Sequence, residues 1–197
     1  METIVQILAR EFEKTEEHVG NVVTLLDEGN TVPFIARYRK EMHGTMDDQT
    51  IRELADRLTY LRNLETRRQE VKTSIENQGK LTEELAAQID GAKTLAEVED
   101  LYRPYKQKRR TRATVAREKG LEPLAEILFA QAPDCPVPEE EAQKYIDEEK
   151  GVPVVAAALA GASDIVAEWI SDDAEIRRVL RETYFDRADI TSAAANK

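Results

Sequence analysis

Cysteine is almost missing from this chain of 197 residues: Cys135 stands alone, so no disulfide can close within it. A reducing compartment, the cytoplasm, is the natural reading of that scarcity. Histidine is nearly as rare, with His18 and His43 only. Two histidines and one cysteine cannot make a His/Cys zinc site of ordinary spacing, and neither a metal nor another cofactor is expected. Aromatics are 6% of the residues, while eight glycines and seven prolines fall between periodic segments as punctuation. The longest apolar stretch, 152–162, falls well short of the ~20 residues a bilayer requires. The first residues lack the basic and apolar regions of a signal peptide. No G-x-S-x-G elbow occurs, nor a Gly-rich phosphate loop ending in Lys-Ser/Thr. No segment alternates with period two, and no repeat of 20–50 residues is visible. These absences argue against a disulfide scaffold, a zinc module, a membrane span, a sheet protein and the common hydrolase and nucleotide-binding enzymes.

What remains is helix. With 41% hydrophobic and 34% charged residues the chain reads as a soluble globular protein with much solvated surface. Ile4, Val5, Ile7, Leu8 and Phe12 share one helical face; Thr15 caps a second helix that Gly29 stops. Thr31-Val32-Pro33 opens a short third one through Phe34, Ile35 and Tyr38. Asp47 or Asp48 caps a long helix over 48–77, in which Ile51, Leu54, Leu58, Leu61 and Leu64 recur every three or four residues. Arg68 interrupts a strict heptad there, so the helix reads as a spine for other helices rather than a coiled coil. Shorter helices follow, started by Thr82, by the capping box of Thr94 and Glu97, and by Thr111 or Thr114. After the Pro-rich 132–138, an acidic helix is expected around 142–146 and a buried apolar one over 152–159. Asp164, Asp172 and Asp173 are further capping candidates, and a last helix carries Ile176, Val179, Leu180, Tyr184 and Phe185. The expected fold is all-α: a multi-helix orthogonal bundle around one long central helix, with a helix-turn-helix-like N-terminal portion.

Side chains with chemistry to offer have plainer uses. Glu16-Glu17, Asp47-Asp48 and Asp172-Asp173 each lie at an expected helix start, where negative charge complements the helix dipole. No base stands near Cys135 in the sequence, so no catalytic residue is assigned.

Charge is the informative feature. The chain totals −11, yet residues 101–120 hold eight Lys or Arg against Glu118 alone, which makes that segment +7 and the remainder −18. Its centre places Arg103, Lys106, Lys108, Arg109, Arg110 and Arg112 within ten residues, beside Tyr102 and Tyr105. Arg forks suit phosphate, tyrosine can stack on bases, and a helix start adds backbone N–H groups. The same cations suit pairing with the chain's own acids, or docking another domain. A secondary basic cluster, Arg37, Arg39 and Lys40, follows two small helices and invites a helix-turn-helix reading; a plain three-helix packing unit fits equally well.

Two segments carry a resemblance. Residues 30–41, reading N-T-V-P-F-I-A-R-Y-R-K-E, and 99–113, reading E-D-L-Y-R-P-Y-K-Q-K-R-R-T-R-A, resemble the two signatures of the bacterial Tex-type transcription accessory family. Residues 116–125 continue the second, and the resemblance covers essentially the whole chain. It implies a cytoplasmic, nucleic-acid-binding protein that affects transcription and is similar to the core of a eukaryotic elongation factor and histone chaperone. It also implies an RNase H-like YqgF domain, helix-hairpin-helix elements and an OB-type RNA-binding domain that 197 residues cannot hold. The expected organisation is a small helical unit over 1–45, then the long helix with short helices and the basic loop over 46–131. A linker over 132–138 and a helical segment over 139–197 follow, the last cut before the RNase H-like domain. Because the resemblance assigns most nucleic-acid binding to domains missing here, the loop of 103–112 is expected to be an auxiliary surface. The expected partners are RNA or DNA, later domains of the same protein and the transcription machinery. The alternative is a docking scaffold without direct nucleic-acid contact.

Overall fold

Side-chain oxygens start most of the helices. The computed structural model describes residues 2–106, 109–133 and 135–193, which fold as two units, Met1–Leu95 and Ala96–Lys197. In the first unit, α1 (Ile4–Glu11) begins with a capping box: the Thr3 hydroxyl accepts from the Gln6 amide, and the Gln6 side chain accepts from the Thr3 amide. Thr15 caps α2 (Glu16–Asp27) as expected, and Pro33 sits in the first turn of α3 (Val32–Tyr38). Asp47 caps α4 (Asp48–Glu76), and Thr82 caps α5 (Glu83–Gly91). At 29 residues, α4 is about 43 Å long.

Ile51, Leu54, Leu58 and Leu61 of α4 share one apolar core with Leu8, Val19, Val22, Leu25 and Ile35. Farther along, Val71 and Ile75 are buried on the stretch of α4 that leads to α5. Forked ion pairs clamp the spine from outside. Arg57 grips Glu11 with two bonds of 2.7 Å, and Arg62 grips Asp27 at 2.7 and 2.8 Å. Arg68, the residue that breaks the heptad, donates to the Ala92 carbonyl and to Glu65, tying α4 to the end of α5. The turn after α3 is pinned by Asn21, whose side chain donates to the Met42 carbonyl at 3.0 Å. Gly44 has φ +58°, and a Cβ there would lie 2.3 Å from Nδ1 of His18, so only glycine fits. His43 beside it is fully buried, with no hydrogen-bond partner on either ring nitrogen.

The second unit contains α6 (Leu95–Tyr102), a 3-10 turn at Arg103–Tyr105, α7 (Arg112–Glu118), α8 (Glu122–Ala130), α9 (Pro138–Ala142), a 3-10 turn at Gln143–Tyr145, α10 (Val155–Asp172) and α11 (Ala174–Arg187). Its core joins Ala113, Ala116, Leu121, Leu124 and Ala142 to Ala158, Ala162 and Ile165 of α10. Gly161 makes the α7–α10 approach possible: a Cβ there would lie 2.3 Å from Leu121 Cδ1 and 3.3 Å from the Ala116 Cβ. Among the described residues there is no strand, only a bridge between Asp147 and Val152. The chain is all-α.

Several expectations shift in this unit. The acidic helix starts at Pro138, earlier than expected, because proline opens a helix readily at its first position. The apolar helix starts at Val155, since Val152 is held in the bridge to Asp147 by two 2.8 Å bonds. It then runs on through Asp164, which sits mid-helix rather than at a cap, and only its Ala158, Ala162, Ile165 side is fully buried. Asp172, the neighbouring candidate, ends α10 instead of capping a helix start, while Asp173 caps α11 as expected. That helix has no buried residue and is tied down by charge. Arg177 donates to Asp100 of α6 at 2.5 Å, and Arg181 donates to the other oxygen of the same carboxylate.

Candidate nucleic-acid interface

The basic loop follows from two breaks in helix. Pro104 turns the end of α6 into a 3-10 turn, and α7 restarts only at Thr111, whose hydroxyl accepts from the Thr114 amide at 3.0 Å. One of the backbone donors expected to face an anion is thus already satisfied by the cap. Arg103 donates to Asp172 at 2.8 Å, a carboxylate whose side chain is only 12% exposed. Arg110 pairs with Glu118 at 2.7 Å. Arg112 lies 3.5 Å from Asp164, and its own side chain remains 88% exposed. Lys106 and Arg109 are exposed and make no ion pair among the described residues. Lys108 lies outside the described residues. Tyr102 and Tyr105 are half-buried.

The next two cations are held by partners of their own unit. Arg117 bonds Glu122 and Glu168 at 3.0 and 2.8 Å. Burial pushes its guanidinium pKa down, and the two carboxylates more than offset that, leaving it raised. Lys119 donates to the Gly151 carbonyl at 2.9 Å. Two grooves flank the loop. One of about 560 Å³ is lined by Lys106 and Arg117 but also by Glu168, Asp172 and Asp173, an unfavourable setting for phosphate. The other, of about 490 Å³, has Arg110, Arg112 and Lys119 on its rim and Val115, Ala157 and Ala160 in its floor.

Sequence reading missed the acids that meet this loop, because Asp164, Asp172 and Glu168 arrive from α10, far along the chain. It also missed the buried Asp100. Burial pushes that carboxyl up, and the bonds and charges of Arg177 and Arg181 more than offset it, holding it below the usual carboxylate range. The available signal was the four-residue spacing of those arginines, which puts them on one helical face.

The secondary cluster lies in the first unit. Arg37 and Lys40 are exposed and make no ion pair among the described residues. Arg39 lies over the Phe34 ring, 5.3 Å from its centroid, and Phe34 meets Tyr38 at 5.3 Å with the rings tilted by 46°. Tyr38 is 62% exposed. Phe34 is half-buried beside Tyr38, and Ile35 is fully buried in the core of the first unit. Elsewhere, no three His, Cys, Asp or Glu side chains among the described residues gather as a metal site. The Cys135 thiol is directed at the Ile127 carbonyl, 3.7 Å away.

Comparison with known proteins finds relatives along nearly the whole chain. The family described as Tex-like protein N-terminal domain matches residues 2–76, and the one described as Tex central region-like matches 134–197. Transcriptional accessory protein Tex of Neisseria gonorrhoeae is 48% identical over 187 residues, covering 95% of this chain and 24% of that protein. Protein YhgF of Escherichia coli is 47% identical over 191 residues, 97% of this chain and 24% of that one. The human S1 RNA-binding domain-containing protein 1 is 29% identical over 180 residues, 90% of this chain and 18% of that one. The chain therefore spans about a quarter of the length of the bacterial relatives it matches. Two family matches on either side of the basic loop, and identity close to one half along nearly the whole chain, place it in the Tex family.

Proposed function

We infer that this chain is a helical scaffold within a nucleic-acid-binding transcription accessory protein, and that the loop of 103–112 is an auxiliary surface for the phosphate backbone. The observation that carries this reading is the exposure of Lys106, Arg109, Arg110 and Arg112 together on one loop and helix start. The pairs to Glu118 and Asp164 lie at the surface, where such contacts contribute about 0–1 kcal/mol, so a phosphate can displace them. The names of the relatives, transcriptional accessory and S1 RNA-binding, support the same reading. A scaffold fits better than an enzyme, since the cations and carboxylates described above serve packing and pairing. No helix of the described residues is long and apolar enough to cross a membrane, and the chain works in the cytoplasm on this reading.

A second reading, a docking scaffold without direct nucleic-acid contact, draws on one observation: Arg103 and Arg117 are committed to half-buried carboxylates of their own unit, which withholds them from phosphate. Changing Lys106, Arg109, Arg110 and Arg112 to Glu separates the two. If the loop touches phosphates, log affinity for nucleic acid plotted against log salt loses up to about 0.9 of slope per lost contact. Unchanged affinity and slope would return the loop to docking.

A further inference from the structure

We propose that the exposed side of α3 is a stacking platform for a single nucleic acid strand, with Tyr38 taking a base and Arg37 and Lys40 the phosphates beside it. The proposal rests on the reading that the protein handles nucleic acid, and it names a different site for part of that contact. The helix is firmly seated: Ile35 is fully buried, with Val32 and Ala36 packed against the same core, and Pro33 stiffens its first turn. The opposite side is therefore held out on a rigid base. There Phe34 and Tyr38, one turn apart, meet at 5.3 Å, and Arg39 occupies a face of Phe34 at 5.3 Å. Tyr38 ends this row with 62% of its surface open.

The charge around it is unbalanced. No carboxylate occurs between Glu28 and Glu41, and Arg37 and Lys40 have no ion partner among the described residues. A flat aromatic face beside uncommitted cations is what a base and its flanking phosphates require. A duplex fits less well. With seven residues α3 is about 10 Å long and passes at once into the pinned turn, which leaves little helix to lie along a groove.

The test uses the whole chain of 197 residues and the anisotropy of labelled oligouridine and oligothymidine of about ten nucleotides, with a duplex of equal length as control. Tyr38→Ala should weaken binding of the single strand by about 5- to 100-fold and leave the duplex unchanged. Tyr38→Phe should restore binding, and the unfolding midpoint should not move, since the side chain is largely exposed. Tighter binding of oligouridine would make the strand RNA; tighter binding of oligothymidine, DNA. A single-strand affinity that Tyr38→Ala leaves within about twofold would overturn the proposal. If that affinity instead falls only when Lys106 and Arg109 are reversed, the phosphate surface stands and the platform is lost. If the unaltered chain binds the duplex but neither strand, the platform falls and the phosphate surface stands; if it binds no nucleic acid at all, both fall. Tyr38-dependent binding of a proline-rich peptide, with none of either strand, would replace the nucleic acid by a protein partner.

Discussion

On the loop of 103–112, Arg103, Arg110 and Arg112 each reach a carboxylate of their own unit, whereas Arg37 and Lys40 at the end of α3 reach none. The loop has more cations, and by count it is the stronger anion site. By availability the order is closer, because part of the loop's charge is neutralised before any ligand arrives and its tyrosines are half-buried. The smaller cluster keeps its charge open and sets it beside an exposed ring. Charge density along a sequence is therefore a poor measure of the field a ligand meets.

The largest expected effect tests the frame that holds the loop. Gly161→Val should destabilise the second unit by about 1–3 kcal/mol, since its Cβ would overlap the buried Leu121 and push α7 from α10. Denaturant unfolding measures it; an unchanged midpoint would mean that the loop does not depend on this packing. Next comes the tether of α11. Asp100→Asn should cost about 1–2 kcal/mol, less than a fully buried pair because both arginines are partly exposed. It should also make α11 more sensitive to protease. The pH dependence has a definite sign. The folded carboxyl sits below its ordinary 3.8, so the tether contributes above that value and is lost as pH falls through the lowered one. Protection of α11 that persists well below pH 3.8 in the Asn variant and the parent alike would refute this account.

The smallest effect sharpens the comparison itself. Glu118→Gln combined with Asp164→Asn frees Arg110 and Arg112, and should raise affinity for a nucleic acid strand about two- to fivefold at low salt. The gain should fade as salt is added. The same double change should not alter the effect of Tyr38→Ala, because the two clusters act on separate contacts. Equal affinity before and after would show that the loop's ion pairs withhold nothing.

Much of the fold was legible because its signals are local. A Thr or Asp oxygen reaches an amide three residues on, so Thr15, Asp47, Thr82, Thr111 and Asp173 mark helix starts without any tertiary knowledge. The three- and four-residue spacing of leucines in α4 announces a buried stripe in the same way. The errors also have local causes. Asp164 looked like a cap because its type favours caps, yet the apolar residues around it continue the helix through it.

The sequence by itself determined an all-helical chain, the place of its long spine, and two basic segments that match the Tex signatures. Which of those basic residues stay open was decided only by tertiary structure. α10 carries Asp164, Glu168 and Asp172 back to a loop some 60 residues earlier, while nothing acidic pairs with Arg37 or Lys40 among the described residues. Ion pairs form through space over a few ångströms, and no pattern of neighbours along the chain encodes that distance.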